Sequence, residues 1–332
     1  MGQPVTVYRW DDPGAPQLSS RTPSEIIDIL TKCLVDGYGT KAPLGWTRPF
    51  YNASTQAVAF RNNVSDGGSG GYVKFFSDNG SNSAGALMRI THAVSMTAIN
   101  ELFHQGYTQA FELRAGIDRW ALIGTSTSVY FFVSRDVPMS TPTSGINQTM
   151  FFGDYYPAIS SDVSRCISIV SPSLNNDTGY GWSRTLDWLS SNGNFNGINC
   201  LLIFDADGYA QNRSYGLSVI YPTDSTSSAI FNDVPAQSQI TYPVFIKMIG
   251  ESGVTTGTDR MGTALFNSSL SPTYRGVLPG LVQMIYAGWR SYSWPTLIDV
   301  HGCQHWLLRN PSNGPCMFAI KLDEWINPYV PV

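Results

Sequence analysis

Hydrophobic and polar residues alternate over short runs along most of the chain, and turn-forming residues separate these runs. Residues 5–10 predict a first strand, while 57–61 and 72–76 flank a glycine-rich turn and predict a hairpin. Residues 119–123 and 128–133 surround a short polar turn and predict a second hairpin. Further strands are predicted at 86–90, 150–153, 164–170, 198–204, 217–220, 241–248, 296–299, 303–308 and 316–321.

One segment near the start has helical periodicity. Thr22 and Glu25 form a predicted capping box, with Pro23 at the first helical position. Apolar residues then recur on one helical face, and Gly37 is expected to end the helix in a left-handed conformation. The residues on that face are Ile26, Ile27, Leu30, Cys33 and Leu34. We therefore predict a helix over about 22–36.

Four other segments complete the predicted organisation. Residues 95–104 predict a short second helix, and residues 274–281, which contain two glycines and a proline, predict a compact bend. Residues 136–148 and 223–239 predict long loops without the composition of a disordered linker.

The predicted elements indicate a fold class. Short strands and turns with one well-defined N-terminal helix indicate a β-rich α+β protein with mostly antiparallel, β-sandwich-like sheets. The chain has no internal repeat, so we expect residues 1–332 to form a single β-rich structural unit. A division into two subdomains near 136–150 remains an alternative.

Charge and composition narrow the classes of function. Charged residues make up 13% of the chain, about half of the usual share of roughly 25%. A net charge of −4 gives no basic surface for nucleic acid, and no apolar run approaches the length that spans a bilayer. Neither nucleic acid nor a membrane is therefore expected as a partner. The first residues lack a secretory pattern, which favours synthesis in a cytoplasm without export.

The strongest candidate for a metal site is the segment 301–305. On a strand, His301, Cys303 and His305 would share one face, and Cys316 lies on the next predicted strand. Imidazole and thiolate are zinc ligands, but no second ligand pair occurs at a zinc spacing. We therefore favour a buried cysteine between two partly exposed histidines and expect no metal. Asp205 to Gly208 imitates the start of a calcium loop and is interpreted as a turn.

Catalytic motifs give little support for an enzyme. The chain has four histidines, no P-loop and no dinucleotide-binding glycine motif. A pair of carboxylates for glycoside cleavage would have to come from scattered residues, and the many aromatic side chains are more typical of cores and interfaces. Those scattered residues include Asp154, Asp187, Asp205, Glu251 and Asp299. We expect no catalytic residues and no cofactor.

A loop motif after the helix carries a family resemblance. The segment 33–50 contains a motif of glycines, aromatic residues, an aspartate and a lysine. Its residues are Asp36, Gly37, Tyr38, Gly39, Lys41, Gly45 and Trp46. This motif resembles one in a family of virion structural proteins of tailed bacteriophages and prophages. Segments 7–18, 57–62, 152–155 and 275–281 and the hairpin around Trp120 are also similar.

The resemblance implies a non-enzymatic subunit of a phage particle. It would be a capsid decoration, collar or tail-associated protein, repeated as a homo-oligomer and bound to capsid, portal, collar or tail proteins. The implied location is the virion, after synthesis in the host bacterial cytoplasm. Two alternatives remain open: a receptor- or glycan-binding module of the tail tip, and a cell-wall hydrolase carried by the virion.

Overall fold

The computed structural model describes residues 2–134, 148–170, 198–208, 212–219, 240–248, 255–258, 264–266, 274–284, 296–308 and 317–329. The predicted long loops at 136–148 and 223–239 lie outside these ranges except for residue 148, as do Cys316, Asp187 and Glu251.

The described chain is dominated by strands. Those before residue 135 are β1 (Gln3–Pro4), β2 (Thr6–Arg9), β3 (Thr47–Asn52), β4 (Ala57–Arg61), β5 (Tyr72–Ser77), β6 (Leu87–Ala98), β7 (Glu101–Gln105), β8 (Gln109–Glu112), β9 (Arg119–Gly124) and β10 (Ser128–Ser134). The next are β11 (Gln148–Asp154), β12 (Tyr156–Pro157), β13 (Cys166–Ile169), β14 (Ile198–Phe204), β15 (Asn212–Ser218) and β16 (Thr241–Met248). The last are β17 (Thr255–Thr258), β18 (Ala264–Phe266), β19 (Tyr274–Met284), β20 (Leu297–Val300), β21 (Cys303–Leu308), β22 (Met317–Lys321) and β23 (Glu324–Trp325).

The predicted helix is confirmed, with a change of geometry in its last turn. Helix α1 spans Pro23–Thr31 and continues as a π-helical turn over Lys32–Asp36. Both hydrogen bonds of the capping box form between Thr22 and Glu25. Burial alone would raise the pKa of Glu25, but amide groups donating to its carboxylate, including that of Ser20, lower the pKa overall.

Three antiparallel sheets form layers, and the β-rich fold class is confirmed. The first sheet has the order β3-β4-β5-β6-β7, with β8 also paired to β6. The middle sheet has the order β13-β11-β10-β9-β2. The large sheet has the order β14-β15-β16-β19-β22-β21-β20, with β12 paired to β19. The pairs β1–β23 and β17–β18 stand apart from these.

The middle sheet is buried on both faces. Trp120, Phe131 and Phe152 point into a core shared with helix α1 and the first sheet. Tyr130 and Phe151, on the opposite face, point into a second core shared with the large sheet. All seven residues of β10 are buried, which explains why this strand is almost continuously apolar. The aromatic residues of β9 and β10 are therefore core residues.

The prediction of a helix over 95–104 is wrong. These residues form the end of β6 and most of β7, joined by a tight turn. A β-bulge lies between Met96 and Ala98, and it breaks the alternation expected of a strand. Met96, Ile99 and Leu102 consequently pack together in one small cluster, although their spacing imitates a helical face.

The compact bend predicted over 274–281 is also wrong, since these residues belong to the long strand β19. The pairing of β19 with β16 is irregular. Val277 pairs with Phe245, whereas Val282 pairs with Pro243, so the register shifts between these positions. Gly276 lies against the backbone of Tyr156, where a Cβ atom would come within 2.1 Å of a carbonyl oxygen. The glycines thus serve close packing inside a strand.

The prediction of one structural unit, with a possible division near 136–150, stays a prediction. Strands β10 and β11, which lie on either side of that stretch, pair with each other in the middle sheet.

Candidate functional site

The motif loop covers the end of the helix. The amide of Leu44 donates to the Cys33 carbonyl and the amide of Trp46 donates to the Leu34 carbonyl, each at 3.0 Å. The Gly37 amide donates to the carbonyl of Lys32 at 2.8 Å, closing the π-helical turn. These bonds pair carbonyl groups that a helix end otherwise leaves without partners.

Gly37 and Gly39 are required by this path. Gly37 has φ 81° and ψ 170°, so its φ is positive as predicted, but its ψ is extended and the residue is not in the left-handed helical region. Gly39 has φ 53°, and a Cβ atom there would lie 2.2 Å from the carbonyl oxygen of Pro13. Side chains at both positions are therefore excluded by conformation and by close neighbours.

Tyr38 and Lys41 attach the loop to the first strands. Their backbones exchange two hydrogen bonds, of 3.1 and 2.8 Å. The Tyr38 hydroxyl donates to Asp12 at 2.9 Å, and burial raises the pKa of Tyr38. The Lys41 ammonium donates to the carbonyl of Val7 at 2.9 Å. The loop is thus tied to β2 and the turn after it.

Trp46 anchors the other end of the loop in the main core. Its side chain is 2% exposed, its indole N–H donates to the Thr125 carbonyl at 3.1 Å, and its ring meets Phe152 edge-on at 5.7 Å. Gly45, before it, has φ 83°. Phe50, later in the same segment, stacks on Tyr72 in the small cluster beyond the first sheet.

Asp36 is the exposed member of the motif. Its carboxylate pairs with Lys32, one turn earlier, at 3.1 Å, and both side chains are more than a third exposed. Such a pair contributes little to stability.

The zinc candidates do not share a strand face. His301 and Gly302 both have positive φ and form the turn between β20 and β21. Cys303 is partly exposed, and His305 is buried with Nδ1 2.9 Å from the Cys303 carbonyl oxygen. Burial lowers the pKa of His305. Among the described residues, no three His, Cys, Asp or Glu side chains form a set that could hold a metal ion.

The other candidate carboxylates lie apart. Asp205 begins a turn, as interpreted, in which the Gly208 amide donates to its carbonyl at 3.0 Å. Asp299 accepts from the amide of Gly302 in the turn after β20. Asp154 lies at the end of β11 and is buried, with 4% of its surface exposed. It belongs to a hydrogen-bonded network.

The Asp154 network joins the end of β11 to two loops, the loop between β4 and β5 and the loop before β13. Its carboxylate accepts from the Asn62 amide at 2.6 Å, the Ser69 amide at 2.6 Å and the Arg165 Nε at 3.0 Å. Burial raises the pKa of Asp154, although the positive charge of Arg165 opposes this shift. Arg165 also donates to the carbonyls of Asp162 and Gly67, at 3.1 and 2.9 Å.

A second buried network has no local signal in the sequence. Arg275 on β19 and Asp162 are both 0% exposed and form a bidentate pair, at 2.6 and 2.9 Å. Tyr155 donates to Asp162 at 2.6 Å, and Arg275 donates to the Phe204 carbonyl at 2.7 Å. Only the fold brings these groups together, so spacing along the chain could not have revealed them.

His92 connects all three sheets. Its Nδ1 accepts from the Ser168 amide of β13 at 2.9 Å, and its Nε2 lies 3.3 Å from the Leu202 carbonyl of β14. Burial lowers the pKa of His92 to about 4. The ring is therefore neutral at pH 7, with Nδ1 as acceptor and Nε2 as donor.

A cleft of about 690 Å³ opens where the β1–β23 pair meets the ends of β11 and β12. It is lined by Gly2, Gln3, Asp66, Gly67, Thr127, Asp154, Tyr155, Tyr156, Pro157, Ala158, Ser160, Arg165, Glu324, Ile326, Asn327 and Tyr329. This volume lies in the range of small-molecule sites. Sequence reasoning missed the cleft because its lining comes from five separate parts of the chain.

Comparison of the chain with protein-family models finds no match, and comparison with curated proteins finds no significant one. Within the part of the chain that the structure describes, no helix has the length and apolar character needed to cross a membrane.

Proposed function

We propose that this protein is a structural subunit of a tailed bacteriophage virion and acts through protein–protein interfaces. The observation that carries the proposal is the use of the motif residues. Tyr38, Lys41 and Trp46 each bind a different part of the chain, and Gly37 and Gly39 allow the tight path between them. The residues that give the family resemblance thus hold the loop rigidly against the rest of the chain.

The first sheet offers surfaces for contacts between subunits. Strands β3 and β7 lie at its two edges, where backbone N–H and C=O groups have no strand partner among the described residues. Tyr51 on β3 is 49% exposed and Phe103 on β7 is 53% exposed. Aromatic side chains are enriched at protein interfaces. These edges support assembly as a homo-oligomer or with capsid, portal, collar or tail proteins.

The proposal is tested on intact particles. Phage that encode this chain are purified on a density gradient, and the polypeptide is quantified by mass spectrometry against the major capsid protein. We expect a fixed copy number that survives high salt, and a matching density in an electron-microscopy map. A non-structural protein of the same phage serves as the contamination control. Purified infectious particles that contain none of this polypeptide would disprove the proposal.

A further inference from the structure

We propose that the cleft between the β1–β23 pair and the β11–β12 junction binds an uncharged oligosaccharide. This inference does not depend on a place in the virion. It gives the receptor- or glycan-binding alternative a specific location and ligand class.

The walls of the cleft are held in place before any ligand binds. Gln3 accepts hydrogen bonds from the hydroxyls of Thr125 and Thr127, at 2.9 and 2.6 Å, and donates to the Asp66 carbonyl at 3.0 Å. Arg165 fixes a further part of the lining through Asp154 and two backbone carbonyls. A preformed site loses less conformational entropy on binding.

The charges in the cleft disfavour an anionic ligand. Arg165 is the cation among the lining residues, and its guanidinium is directed into the wall by Asp154. Asp66 and Glu324 form no salt bridge among the described residues, and Glu324 is exposed. Their carboxylates accept hydrogen bonds, so a ligand with several hydroxyl donors is suited to them.

A buried hydroxyl adds a further polar position. The Tyr156 hydroxyl is buried and has no hydrogen-bond partner among the described residues. An unpaired buried hydroxyl costs free energy, and native proteins rarely leave one without a role. It can both donate and accept, which suits a sugar hydroxyl better than an ammonium group, because an ammonium group only donates.

Part of the remaining surface of the cleft is apolar. Ile326 and Tyr329 are 46% and 44% exposed, and Pro157 and Ala158 line the same cleft. A sugar ring presents C–H groups on one face and hydroxyls at its edge, so it can use an aromatic and aliphatic wall together with carboxylate acceptors. This mixture favours a saccharide over a purely ionic ligand.

The test begins with the purified full-length protein on a glycan array that carries neutral and acidic glycans. Titration calorimetry then measures the affinity for the neutral oligosaccharide that binds most strongly on the array. An arginine-rich peptide is the cationic comparison. We expect binding to neutral glycans, no binding to acidic ones, and weaker or no binding of the peptide. An array without neutral binders, or a peptide that binds more tightly than any neutral glycan, would overturn the proposal.

Variants assign the binding to the cleft. Tyr329→Ala removes an exposed ring and is expected to weaken binding of the neutral glycan about tenfold, whereas Tyr274→Ala removes an exposed ring on β19, outside the cleft, and should leave affinity unchanged. Thermal melting confirms that both variants fold. Equal affinity of Tyr329→Ala and the wild type would place binding elsewhere and contradict the proposal.

A second pair of variants tests selectivity. Asp66→Asn combined with Glu324→Gln removes the charges of these two carboxylates and is expected to give measurable binding of acidic glycans, which the wild type should not show. Asp118→Asn, which removes an exposed carboxylate outside the cleft, is the control and should not change selectivity. Failure of all binding would refute the cleft proposal while leaving the virion proposal intact, because that proposal is tested by the composition of particles.

Discussion

At the scale of single residues, Gly37 shows how one position fixes the motif loop. Its backbone lies in a region that is open almost only to glycine, and a Cβ atom would come within 2.6 Å of the Lys41 carbonyl oxygen. We expect Gly37→Ala to lower the free energy of unfolding by about 3 kcal/mol, since strain and overlap add. Urea denaturation of the purified variant measures the change.

Gly302→Ala is the matched control for this variant. Gly302 also has a positive φ, of 77°, but nothing lies within 4 Å of an added Cβ atom. Gly302→Ala should lower the free energy of unfolding only through its backbone conformation, by about 1 kcal/mol. Equal losses in the two variants would show that overlap with the loop is unimportant.

His92 makes stability depend on pH. In the folded state its pKa is lowered to about 4, whereas the ordinary value is 6.5, so the unfolded chain binds a proton more readily over this interval. The contribution of neutral His92 to the free energy of unfolding is complete above about pH 6.5. It is lost as the pH falls towards 4, by roughly 1.4 kcal/mol per pH unit. From about pH 7.5 to about pH 5, we expect a loss of roughly 2 kcal/mol.

Urea unfolding of the wild type and of His92→Gln at both pH values measures this effect. Carboxylates titrate in both proteins, so the difference between their pH dependences isolates the histidine. The glutamine variant should be less stable at pH 7.5 but should lose less on acidification. Identical pH dependences would contradict a neutral buried imidazole.

At the scale of elements, local signals in the sequence succeeded where neighbouring residues decide the structure. The capping box of α1 and the two predicted hairpins depend on residues close in sequence, and all three are confirmed. The segments 95–104 and 274–281 were misinterpreted because a bulge and a close approach of two backbones override local preference. Those contacts come from other strands, so spacing along the chain could not show them.

The Arg275–Asp162 pair holds β19 against the loop before β13 and against β14. Both groups are fully buried, so removing the carboxylate leaves a positive charge without its partner. We expect Asp162→Asn to lower the free energy of unfolding by about 3–5 kcal/mol. Thermal and urea unfolding measure the loss.

Asp36→Asn is the control for this substitution, because it removes a carboxylate from the exposed Lys32–Asp36 pair. It should change stability by less than about 1 kcal/mol. A loss at Asp162 no larger than that at Asp36 would show that the buried pair is not an essential link between these elements.

At the scale of the whole molecule, the order of the three layers follows from the middle sheet. Its strands are apolar on both faces, a pattern more typical of parallel sheets covered by helices than of antiparallel ones. The sequence therefore showed that these strands are buried but not what covers each face. The cleft was beyond prediction for the same reason, since Gln3, Asp66, Arg165 and Glu324 meet only after the sheets have assembled.

This arrangement predicts where the molecule is most resistant to local opening. Strand β10 pairs with β9 on one side and β11 on the other, and it is buried between two cores. Amide hydrogen exchange followed by mass spectrometry should be slowest in peptides covering 128–134 and fastest in the edge strands at 47–52 and 101–105. Exchange in β10 requires the layers to separate, whereas an edge strand can detach alone. Comparable rates in β10 and the edges would mean that the middle sheet opens independently of the two layers that cover it.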